Sequence, residues 1–81
     1  MITKEDILRG AGILRKEQLC LRKGQSIFNY VDIHPELFGD AARISQFEYG
    51  IDCFYRDDMI DKFVDTVVEI CNNGFYNKES N

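Results

Sequence analysis

From Asp57 to Gly74 the chain sets Ile60, Phe63, Val64, Val67, Val68 and Cys71 at spacings of three and four, with Asp61, Lys62, Asp65, Thr66 and Glu69 between them. A period near 3.6 residues selects an α-helix with one apolar face and one face in water. Asp57 or Asp58 stands where an N-cap acceptor is needed, and Asn73-Gly74 closes the run with a C-terminal stop signal. The valines are a mild counter-signal that the clean period outweighs. Such a helix must bury its stripe against other elements, so the rest of the chain has to supply a matching apolar surface. Phe63 and Val67 are expected at its centre.

The remaining segments also read as helices. Thr3 is placed to cap a first helix, with Glu5 and Asp6 at the positive end of its dipole. Ile7, Ala11, Leu14, Gln18 and Leu21 follow on one face, with Arg15 and Lys16 near the C-terminal end. Gly10 and Gly12 weaken this helix by about 1 kcal/mol each relative to alanine, unless they allow close packing. A second helix is predicted from about Lys23 to Asp32. Gly24, Ile27, Phe28 and Val31 share its apolar face, and Arg22, Gln25, Asn29 and Asp32 form a narrow polar stripe opposite. Pro35 disfavours helix at His34 and can open a short turn of its own with Glu36. Gly39-Asp40 is a break, and Asp40 is placed to cap a short helix over residues 41–47. Residues 49–55 read as a connecting segment with its aromatics folded inward. The fold class is therefore all-α, a small bundle of about four helices with an aromatic connector. A single helical domain is expected over residues 1–76, with a frayed polar tail at 77–81.

Eighty-one residues suffice for one marginal core. No apolar run approaches the roughly 18 residues of a membrane span, and the N-terminus lacks the regions of a signal peptide. Three cysteines, Cys20, Cys53 and Cys71, are odd in number and widely spaced, which points away from a disulfide framework and toward a reducing compartment, the cytoplasm. The net charge of −4 is uneven: residues 1–30 hold six basic and three acidic groups, residues 31–81 four basic and eleven acidic. The two regions can lie side by side in one fold, or they can serve two partners.

Chemistry-bearing patterns are sparse. One histidine, His34, and no close cysteine or histidine pair argue against a zinc site. Asp52, Asp57, Asp58 and Asp61 lack the alternate spacing and closing glutamate of a calcium loop. Nothing in the sequence brings Cys53 to His34 as nucleophile and base, and Gly10-Ala11-Gly12 is followed by no phosphate-loop residues. The expectation is a non-enzymatic protein without metal or cofactor. Arg15, Lys16, Arg22 and Lys23 could contact phosphates, with Gln25 and Asn29 on base edges, making a DNA-associated regulator the alternative. The acidic remainder of the chain opposes that reading.

Two segments, LRKGQSIFNYV and DCFYRDDMIDKFV, carry a resemblance. Arg22, Gly24, Gln25 and Asn29 in the first, with Asp52, Phe54, Tyr55, Asp57 and Ile60 in the second, resemble a group of short uncharacterised bacterial proteins. These share an R-x-G-Q helix with an internal asparagine and a later acidic, aromatic turn before an amphipathic helix. Cys53 departs from the pattern, which more often has proline there. The resemblance covers about a third of the chain and implies a small helical fold, with no activity attached.

Arg22, Gln25 and Asn29 form a candidate structural polar network, with Gln25 and Asn29 serving the backbone of residues 49–55. A solvated helix face and a recognition surface are the other readings of the same stripe. Ten aromatics exceed what so thin a domain readily encloses. Phe54, Tyr55, Phe75 and Tyr76 are the candidate interaction patch. The functional expectation is an interaction module that binds itself or another protein. A homodimer through the aromatic segments is expected, helped by the charge split, since the basic N-terminal helix of one copy could face the acidic C-terminal helix of the other.

Overall fold

Thr3 opens the first helix as its position predicts. In the computed structural model, which describes residues 1–75, α1 spans Lys4–Glu17 and begins with a capping box. The Asp6 amide donates to the Thr3 hydroxyl at 3.2 Å, and the Thr3 amide donates to the Asp6 carboxylate at 3.1 Å. That amide hydrogen bond holds the Asp6 carboxyl below its usual range. Four more helices follow: α2 Lys23–Asp32, α3 Pro35–Phe38, α4 Ala41–Glu48 and α5 Ile60–Asn73. A 3-10 turn, Asp57–Met59, leads into α5, and no strand occurs among the described residues. Tyr76 and the tail 77–81 lie outside the described residues. The protein is an all-α bundle.

The core draws on every α-helix and on the connector. Phe63, Val64 and Val67 of α5 meet Ile7 and Ala11 of α1, Ile27, Phe28 and Val31 of α2, Phe38 of α3, and Ala41 and Ala42 of α4. Phe63 and Val67 are fully buried, as the α5 period predicts. Phe28 lies at the aromatic centre, 5.4 Å from Phe63 and 5.6 Å edge-on from Phe54 between ring centroids. Gly74 ends α5 at φ 82°, its amide bonded to the Ile70 carbonyl, so the C-terminal signal acts as read.

Several expectations change. The α5 N-cap is Met59, with no side-chain cap hydrogen bond; Asp57 serves a different helix. Asp40 makes no side-chain cap bond to α4 either. Thr66, read as water-facing, is fully buried, because its hydroxyl closes onto the Lys62 carbonyl at 2.6 Å and leaves its methyl to the core. The connector buries Ile51 and Cys53 rather than its aromatics; Tyr49 and Phe54 are half-buried and Tyr55 is exposed. α1 stops at Glu17, so Gln18 and Leu21 lie beyond the helix, and Ile7 and Ala11 are its only buried residues.

The start of the chain is tied to α5 by a bond pair with no sequence signal. The Ile2 amide donates to Asn72 Oδ1 at 3.0 Å, and Asn72 Nδ2 donates to the Ile2 carbonyl at 2.8 Å. Beside it Lys4 pairs with Asp65 at 3.2 Å, so basic α1 and acidic α5 compensate one another within one molecule.

Candidate interaction surface

α2 is held at both ends by contacts that need glycine. At its start, Gly24 is buried, and its amide donates to Asp57 Oδ1 at 3.0 Å. The Gly24 carbonyl accepts the Cys53 thiol at 3.1 Å. A Cβ at Gly24 would lie 2.3 Å from the Cys53 carbonyl oxygen, so only glycine lets the connector approach this closely. Asp57 thus caps α2 from across the fold and places a carboxylate at its positive end. Arg22 completes the clamp, donating to the Phe54 carbonyl and lying 3.6 Å from Asp57. Burial pushes the Cys53 thiol up to about 12, with the nearby Asp52 charge acting in the same direction.

Arg22, Gln25 and Asn29 therefore have different surroundings. Arg22 reaches the connector backbone. Gln25 and Asn29 are half-buried, and their side chains make no hydrogen bond among the described residues. The connector's polar groups have other partners: the Ile51 carbonyl accepts from Ser45 at 2.6 Å, and the Phe54 amide donates to Asp52 at 3.1 Å. Gly24, Asp57 and Ser45 belong to this arrangement and were missed as polar contributors. The available signal was a glycine in the first turn of a helix that lacks its own capping side chain.

At the other end of α2, Tyr30 lies across α1. A Cβ at Gly10 would lie 2.0 Å from the Tyr30 ring, so Gly10 provides the slot in which that ring sits. The ring is 4.7 Å from His34 and 5.6 Å from Phe38 between centroids. His34 Nδ1 is 2.9 Å from the Tyr30 carbonyl, which orients the imidazole along α2. Gly12, by contrast, faces open space.

Because Tyr30 is spent on α1, the helices around it leave apolar groups outside. Ile13 is 58% exposed, Ile33 56% and Leu37 49%. Two open clefts flank this row. One, of about 320 Å³, is lined by Ile2, Asp6, Arg9, Gly10, Ile13, Tyr30, Leu37 and Phe38. The other, of about 330 Å³, is lined by Gly10, Ile13, Leu14, Glu17, Tyr30, Ile33 and His34. Gly10, Ile13 and Tyr30 border both, so the clefts adjoin at these three residues as one groove.

The aromatic patch read from the sequence is less continuous. Phe54 uses one ring edge on Phe28 and stands 4.7 Å from Tyr55, which is exposed. Phe75 is also exposed, but no ring contact joins it to Phe54 or Tyr55 among the described residues, and Tyr76 lies outside them.

The basic segment is partly committed to the fold. Arg15 donates to the Leu21 carbonyl at 3.3 Å, and Arg22 is held by Phe54 and Asp57. No cluster of three or more potential metal ligands occurs among the described residues, and none of their helices is long and apolar enough to cross a membrane. No family model, curated protein or solved structure matches this chain.

Proposed function

We propose that this chain is a small non-enzymatic interaction module whose working face is the groove around Ile13 and Tyr30. One observation carries the reading: three large aliphatic side chains, Ile13, Ile33 and Leu37, stand half-exposed around paired clefts, while the interior is closed by other residues. Contiguous exposed apolar surface of this kind marks interaction sites in small soluble domains. Of the groups that could serve catalysis, Cys53 is buried on the Gly24 carbonyl, and His34, which lines the groove, is bonded through Nδ1 to the Tyr30 carbonyl. Three unpaired thiols, one of them exposed, favour a cytoplasmic setting.

The DNA-associated alternative needs the start of α2 free to enter a groove. Gly24 and Ser26 are buried there, and Arg22 faces Asp57, which weighs against it. Titration with random duplex DNA at two salt concentrations separates the readings; tight, strongly salt-dependent binding would favour the alternative.

Ile13→Glu tests the groove. Ile13 faces water, so the variant should melt with the parent while losing capture of any bound chain, its own or another. Equal capture by parent and variant would refute the site.

A further inference from the structure

The groove is self-complementary, and we infer that its occupant is a second copy of this chain, packed α1 against α1 in antiparallel fashion about a two-fold axis through Ile13. The inference rests on the groove being the working face. Arg9 and Glu17 are placed symmetrically about Ile13, four residues before and four after it. On an α-helix these positions lie on the same side, about 6 Å along the axis in each direction. Arg9 lines one cleft and Glu17 the other, while Ile13, Gly10 and Tyr30 border both. A two-fold rotation that lays Ile13 on its own counterpart brings Arg9 of each copy to Glu17 of the other, twice. With Arg9, beside Asp6, at one end and Glu17 at the other, the groove sets each of these two charges against its opposite in an inverted copy, which is the requirement of an isologous interface.

Arg9 is only loosely paired, and Glu17 is open to a partner. Glu17 has no ion pair among the described residues. The Arg9 side chain is 72% exposed, and its only ion-pair partner among the described residues, Asp6, is 3.9 Å away with its carboxylate also bonded to the Thr3 amide. Pairing α1 with α5 of another copy, which the charge split alone suggests, is less favoured, because Lys4 already meets Asp65 within one molecule.

Sedimentation equilibrium from micromolar to hundred-micromolar concentration, with melting curves for each variant, tests the arrangement. The parent should dimerise, and Ile13→Glu should abolish dimerisation, since it sets two like charges on the axis. Arg9→Glu or Glu17→Arg alone turns both attractive contacts into repulsive ones and should weaken the dimer on the order of tenfold or more. The double variant Arg9→Glu/Glu17→Arg should recover most of the parent affinity. A dimer in which the double variant is no better than the single ones would overturn the register. A parent that stays monomeric would overturn self-pairing, while Ile13-dependent capture of a different chain would leave the groove standing as the working face. A dimer indifferent to Ile13→Glu would overturn both.

Discussion

Gly24→Ala is the substitution in which local helix preference and tertiary packing disagree most. Within a helix, alanine is favoured over glycine by up to about 1 kcal/mol. At position 24 the added Cβ would sit 2.3 Å from the Cys53 carbonyl oxygen and 2.7 Å from Asp57 Oδ1. The first of these is backbone and cannot rotate away, so the connector must retreat from α2. Overpacking of this kind costs about 1–3 kcal/mol. The retreat also lengthens the 3.0 Å bond from the Gly24 amide to Asp57. A bond to a charged acceptor contributes about 1.5–3 kcal/mol, and about half that here because Asp57 is half-exposed. Set against the helix gain, the net loss is about 1–3 kcal/mol. At about 4–8 °C per kcal/mol for a domain of this size, the melting point should fall by about 5–25 °C. The chain has no tryptophan, so urea unfolding is best followed by far-ultraviolet circular dichroism. Gly12→Ala is the matched control: nothing lies within 4 Å of its Cβ, so it should stabilise by about 0.5–1 kcal/mol. If Gly24→Ala also stabilises, the close approach of connector and helix is wrong.

Phe63→Ala, at the fully buried centre of α5, should cost about 3–5 kcal/mol and leave much of the population unfolded; a melting point within a few degrees of the parent would contradict it. Asn72→Ala removes both amide bonds to Ile2 and should cost about 1–2 kcal/mol, with faster hydrogen exchange at the N-terminus; unchanged exchange there would refute the tie. Toward a thiol reagent Cys20 should react first, Cys71 more slowly, and Cys53 only as fast as the protein opens, read by mass spectrometry of digested samples. The raised Cys53 value means that its stabilising contribution is complete below the unfolded thiol's roughly 8.5 and is lost as pH rises from there toward about 12, so the parent should lose more stability over that window than Cys53→Ser.

The elements were legible where periodicity and punctuation agree. The α5 stripe, the Thr3 cap, the Pro35 break and the Gly74 stop are local signals, and each appears where its residues predict. What failed to show depends on partners distant in sequence. Asp57 looked like a cap for the helix that follows it; its carboxylate instead serves Gly24, 33 residues earlier. Thr66 looked polar in a helical pattern that assigns threonine to water, but its hydroxyl is satisfied one turn back, freeing the methyl for the core. The polar stripe of α2 was visible as a stripe. Which member reaches the connector depends on side-chain length and on the direction from which the connector approaches, and only Arg22 is both long enough and correctly placed.

The groove was hidden for a related reason. Tyr30 falls off the apolar face of α2, which suggests a ring left over for the surface. Instead it crosses to α1, because Gly10 presents bare backbone at the height of the ring. A tyrosine lying in that slot occupies the line along which α1 and α2 would otherwise interdigitate. Ile13 on one helix and Ile33 beyond the end of the other both border the cleft beside that ring. Leu37 is stranded as well, since the one-turn α3 commits Phe38 to the core and turns its preceding residue outward. The exposed aliphatic row thus follows from one glycine and one tyrosine meeting across two helices, with Leu37 added by the short α3. A reading that ranks residues by their own hydrophobicity directs attention to the aromatic patch around Phe54 and Tyr55. One that asks which backbone can admit a ring leads to Gly10 and Tyr30, and so to the groove at Ile13.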